Sequence, residues 1–157
     1  MRANDGVLPL TDSIFEDDEE GWPSVLSYWR TLPAEAFGPD IRSEIVSYVR
    51  KISSTMTDWR AAVEGNSGAA CGLALRMPVP QYIGPRVDLI MTVLLCCAFE
   101  NAGAALVLSS RLEQMPLRPR DRARLSTSWK VHNLYLARRS YGRRSLPSTF
   151  IRREDGR

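Results

Sequence analysis

Four of the ten prolines, Pro23, Pro39, Pro85 and Pro119, each stand directly before a stretch with helical patterning. Proline lacks the amide proton that a helix interior or a central strand needs. It suits the first helical turn, where that proton would have no intrahelical acceptor. The four positions therefore cut the chain into segments and predict helices over 24–30, 40–64, 86–115 and 120–141. Asp40, Asp88 and Asp121 fall in first turns, where a negative charge favours the helix dipole. Gly65 and Gly142 stand where the second and fourth segments should stop.

The pattern inside these segments is helical. Ile41, Ile45, Val49, Ile52, Met56, Trp59 and Val63 recur at steps of four or three and make one apolar stripe. The third segment is apolar almost all round, which predicts the central helix of a bundle. Its Ala98, Ala102, Ala105 and Ser109 form a small-residue face suited to close approach by a neighbour. In the fourth segment Leu125, Trp129, His132 and Leu136 share one face, while Arg120, Arg124 and Arg138 share another with Thr127 and Val131. Residues 69–77 read as a short helix with Ser67 as its candidate N-cap. The stretch MPVPQYIGP, residues 77–85, reads as an extended connector. No alternating pattern of strand length occurs.

A length of 157 residues, 44% apolar and 25% charged, suits one globular domain with a real core. The expected fold is all-α: a single-domain bundle of four to five helices over 22–142, an acidic arm over 1–21 and a basic tail over 143–157. The N-terminal residues lack an apolar run of signal-peptide length. The longest mostly apolar run, 89–99, is too short to span a bilayer, which needs about 20 residues. Unpaired Cys71, Cys96 and Cys97 agree with a reducing compartment, so the expected location is cytoplasmic and away from membranes.

Charge is the strongest pointer to a partner. Residues 1–20 hold one Arg and seven acids, net −6; residues 21–110 hold seven bases and seven acids, net zero; residues 111–157 hold thirteen bases and four acids, net +9. Only Lys51 and Lys130 are lysines; the other nineteen bases are Arg, the residue suited to phosphate and carboxylate pairing. Codon usage in a GC-rich genome would explain Arg over Lys, but not the clustering at one end.

No pattern of catalytic or metal-binding residues is evident. Cys71 stands alone and Cys96 and Cys97 are adjacent, so zinc spacing is absent. Gly65-Asn66-Ser67-Gly68 lacks the lysine of a phosphate loop. The acids Glu16 to Glu20 lack the spacing of a calcium loop. Expected cofactors and metals are therefore none, and the expected protein is not an enzyme. Glu100 shares a helix side with Val93, Cys96, Cys97 and Val107, which suggests burial and a structural ion pair. His132, the only histidine, could act as a general base, but a packed core histidine is the simpler reading. The small helical HEPN ribonucleases pair an Arg and a His on one helix; here Arg124 and His132 are spaced more widely, and Leu125 stands where that motif carries a polar residue, so only a likeness of fold class remains.

The leading expectation is a non-enzymatic helical subunit of a nucleoprotein complex. Arg120, Arg124, Lys130, Arg138, Arg139, Arg143, Arg144, Arg152 and Arg153 would meet the backbone of RNA or single-stranded DNA. Tyr135, Tyr141 and Phe150 could stack on unpaired bases. Small helical subunits of CRISPR effector complexes illustrate such a role by size, fold class and charge. The acidic head could cover the basic end of its own chain or of another copy, so other protein subunits, copies of itself included, are candidate partners. The alternative is a helical adaptor or immunity-type protein whose Arg tail meets an acidic partner.

Overall fold

The structure, a computed structural model, describes residues 23–145, with side chains to 143. The acidic arm, Phe150, Arg152, Arg153 and the side chain of Arg144 lie outside the described residues. What is described is an all-α bundle. A 3-10 helix, Ser24–Arg30, and a 3-10 turn, Ala34–Ala36, lead into α1 (Pro39–Val49), α2 (Trp59–Val63), α3 (Ser67–Arg76), α4 (Pro85–Ala98), α5 (Ala102–Leu112) and α6 (Pro119–Ser145). All four prolines stand at helix starts, with Pro23 at the cap of the 3-10 helix.

Two of the expected helices are each broken in two. The stretch 40–64 is α1, an irregular passage and α2, rather than one helix. Ser53, Ser54, Thr55 and Asp58 are of the residue types whose short polar side chains compete with a helix for backbone hydrogen bonds. The Ser54 hydroxyl accepts from the Met56 amide at 3.1 Å, and Asp58 adopts a left-handed φ of 72°. Arg76 holds the kink by donating to the Asp58 carboxylate at 3.1 Å. The apolar stripe survives the break, because Ile52 and Trp59 are still buried and the Trp59 indole donates to the Ile52 carbonyl at 3.2 Å.

The stretch 86–115 is likewise α4 and α5, packed as a helical hairpin. The break comes at Asn101, whose Oδ1 accepts from the Ala104 amide at 2.9 Å and so caps a new helix. Asn66 does the same for α3, accepting from the Ala69 amide, so the cap is Asn66 and not Ser67. Gly65 is a stop, with φ of 105°; Gly142 is not, since α6 runs through it to Ser145.

The core is built round α4, in which every residue from Val87 to Ala98 is buried, so central burial belongs to α4 alone. The buried Asp88 carboxylate accepts from the Trp29 indole at 2.7 Å and pairs with Arg30 at 3.3 Å, which fastens the N-terminal 3-10 helix to α4. The Arg42 Nε donates to the Cys96 carbonyl at 3.2 Å, near the C-terminal end of α4 where a cation is favoured. Arg111 is buried without a carboxylate; it donates to the carbonyl of Met77 at 2.8 Å and to Gln114 at 2.8 Å, tying the 77–84 connector to α5.

Burial sets the behaviour of the adjacent thiols. It pushes Cys96 up from 9.0 to about 12, with Cys97 adding to the rise and Arg42 opposing it. It pushes Cys97 up to about 11, with Cys71 adding and Arg42 opposing. These thiols stay protonated in the folded chain after the unfolded chain has ionised. The linked stability is present below the unfolded pKa and is lost as pH rises toward the folded values. The urea midpoint should therefore fall from about pH 8.5 upward, and a Cys96→Ala, Cys97→Ala chain should show a flatter decline; equal slopes for the two chains would contradict the assignment.

Candidate nucleic-acid interface

α6 spans about 40 Å at 1.5 Å per residue, and its apolar side anchors it to the bundle. Leu125 and Trp129 are fully buried, with His132 and Leu136 half-buried on the same face. The expected small-residue face works in part as a contact: Ala105 and Ser109 of α5 are buried, and the Ser109 hydroxyl donates to the Ser126 carbonyl at 2.8 Å. Ala98 belongs to α4 instead. Farther along, Asn133 donates to the Ala102 carbonyl at 2.7 Å, so α5 and α6 run antiparallel. On another side, Ser128 accepts from the Ala34 amide and donates to Glu35, each at 2.7 Å.

His132 sits where α6 crosses the turn between α4 and α5. Its Nε2–H donates to the Phe99 carbonyl at 3.0 Å, and its ring stacks on Phe99 and meets Trp129 edge-on. With Nε2 committed in this way, the ring packs and positions α6. Glu100 is exposed, not buried, because the helix that would have carried it inward ends at Ala98; it pairs with Arg42 at 3.7 Å.

The predicted bases separate into three groups. Arg120, Arg124 and Arg138 share the outer side of α6, exposed, and make no ion pair among the described residues. Arg139 and Arg143 line a groove of about 640 Å³ between α6 and the 99–103 turn, with His132, Tyr135 and Ser140 on the same wall and Glu100 across from them. The Arg139 guanidinium lies over the Tyr135 ring at 5.6 Å. Lys130 stands apart, on the α5 side, 3.9 Å from Glu113. Near Arg124, the hydrogen bond from Ser128 holds the Glu35 carboxyl below the usual range, aided by its own backbone amide and by Arg124 and opposed by burial.

The structure adds Leu134 to this side of the helix. Val131, Leu134 and Tyr135 are exposed among these arginines. Arg124, Thr127, Val131, Leu134, Arg138 and Tyr141 follow one another at alternating steps of three and four, the spacing of a helix seam. That spacing is legible in the sequence, because all six residues lie within the helix predicted over 120–141. No group of three His, Cys, Asp or Glu among the described residues could hold a metal ion, and no described helix is long and apolar enough to cross a membrane. Compared with known protein families, curated proteins and solved structures, the chain matches none of them.

Proposed function

We propose that the protein is a non-enzymatic subunit of a nucleoprotein assembly that holds RNA or single-stranded DNA by its backbone along α6. The observation that carries this reading is the exposure of Arg120, Arg124, Arg138 and Arg143 on one long helix, with no carboxylate paired to them among the described residues. Exposed guanidinium groups neutralise phosphates and release counterions without reading sequence. Tyr135, with Arg139 over its ring, supplies an aromatic face of the kind on which an unpaired base stacks. Small size and an all-α body are compatible with stacking of copies along a strand.

A second reading has its own support. Val131 and Leu134 are branched aliphatics, which nucleic acid gives little reason to expose, and their seam spacing suits a helical protein partner of acidic character. Fluorescence anisotropy with labelled single-stranded RNA and DNA of mixed sequence separates the two. The nucleoprotein reading expects binding of both at moderate salt with little sequence preference. An adaptor gives no signal with either.

A further inference from the structure

We infer that the N-terminal acidic segment of this same chain, residues 7–20, docks on the outer face of α6 and competes there with the phosphate backbone. The competition rests on the nucleic-acid reading of α6; the docking does not.

The face calls for an occupant with two chemistries. Val131 is 59% exposed and Leu134 62% exposed, with Arg124 and Arg138 on the same seam. Phosphate satisfies the arginines but leaves the aliphatic side chains wet and forgoes the gain from burying them. Residues 7–20 carry both kinds of group. Val7, Leu8, Leu10, Ile14 and Phe15 are apolar, and Glu16 to Glu20 are five consecutive acids.

A second copy fits less well. Antiparallel pairing of two α6 helices about Leu134 sets Lys130 against Arg138 and Arg124 against Arg144, and parallel pairing sets each Arg against its equal. Like charges placed opposite one another oppose both arrangements.

The chain leaves the described body at a suitable place. Pro23 opens the 3-10 helix Ser24–Arg30, and four residues after Arg30 the Ala34 amide is bonded to Ser128 of α6, one turn from Val131. At about 2.0 Å per residue for the 3-10 helix and about 3.5 Å for extended chain, Pro23 lies within about 30 Å of Ser128. Glu16 is seven residues before Pro23 and Val7 sixteen. Extended chain of those lengths covers about 25 and about 55 Å, so the apolar half has length to spare for the seam, while the acids reach the part of it that lies within about 25 Å of Pro23. Glu35 places one carboxylate on this side of α6, where the Ser128 hydroxyl donates to it at 2.7 Å.

The test uses the full chain in three forms: unaltered, with Glu16→Gln, Asp17→Asn, Asp18→Asn, Glu19→Gln and Glu20→Gln together, and with Ile14→Ser and Phe15→Ser together. The first readout is the methyl NMR signals of Val131 and Leu134. Docking predicts that both variants move these signals to a common position, that the unaltered chain joins them near 0.5 M salt, where the Debye length is only about 4 Å, and that dilution changes nothing. The second readout is affinity for a labelled single-stranded oligonucleotide at low salt. A face covered nine-tenths of the time lowers apparent affinity about tenfold, so each variant should bind about tenfold tighter. Methyl signals that move with no oligonucleotide binding by any form would uphold docking and count against the nucleic-acid reading. Methyl signals identical in all three forms overturn the inference, and so do signals that shift with protein concentration, which would assign the face to a second copy.

Discussion

Replacing Trp129 with alanine should lower the unfolding free energy by about 3–5 kcal/mol, the range for truncating a large aromatic in a packed core. Trp129 is wholly buried, and its ring meets Phe37 edge-on at 5.9 Å and His132 at 5.3 Å. Phe37 in turn lies 5.2 Å from Phe99, so one side chain joins the segment before α1, the end of α4 and the middle of α6. Its removal leaves a cavity that these three elements cannot all close. Trp129→Phe is the informative companion. The indole N–H is buried with no acceptor among the described residues, so deleting it removes an unmet donor and offsets part of the lost packing. The phenylalanine chain should lose about 1 kcal/mol or less. Urea unfolding with unchanged m-values measures both, and a phenylalanine chain as unstable as the alanine chain would show that the aromatic cluster is not what holds α6.

The second large effect is on binding. A chain with Arg138, Arg139, Arg143 and Arg144 all changed to Ala should bind single-stranded nucleic acid at least 100-fold more weakly near 0.1 M salt. Each phosphate contact on a single strand contributes about 0.7 to the slope of log affinity against log salt. Four lost contacts should therefore flatten that slope by about 3. Arg138, Arg139 and Arg143 are exposed and form no ion pair among the described residues, so the fold should persist. The unfolding midpoint should stay put while the slope falls. A parallel loss of stability and affinity would mean that the substitutions had loosened α6 instead.

Helix starts were legible in the sequence because proline marks them chemically: Pro39, Pro85 and Pro119 each open an α-helix. Helix breaks were harder to see because polar caps act locally while the apolar stripe continues across them. Asn66-Ser67-Gly68-Ala69 and Asn101-Ala102-Gly103-Ala104 share one pattern, an asparagine whose side chain accepts from the amide three residues on, with glycine beside it. A Cβ on Gly68 or Gly103 would come within 3.3 Å of that asparagine oxygen, so the small residue leaves room for the cap. The signal was present at both sites and was outweighed by hydrophobic periodicity. The kink at Asp58 was less accessible, because a left-handed non-glycine residue is held by a distant partner, Arg76.

The outer arginines of α6 were legible from the wheel of that helix alone, since Leu125 and Trp129 define the opposite, buried side. Glu100 falls on the buried side only of a helix that runs on through it, and α4 ends two residues earlier, at Ala98. The groove holding Arg139 and Arg143 could not be read at all, because its far wall is the turn created by that unseen break.

Uptake of phosphate by the guanidinium groups of α6, as proposed above, can be read by arginine modification with phenylglyoxal, mapped by mass spectrometry with and without a saturating single-stranded oligonucleotide. In the chain whose Glu16 to Glu20 are changed to their amides, Arg120, Arg124, Arg138, Arg139 and Arg143 should react readily when free and slow at least fivefold in the complex, while buried Arg111 resists in both and exposed Arg60 and Arg86 react equally in both. Unchanged rates along α6 in the presence of oligonucleotide, or protection falling instead on Arg60 and Arg86, would contradict it.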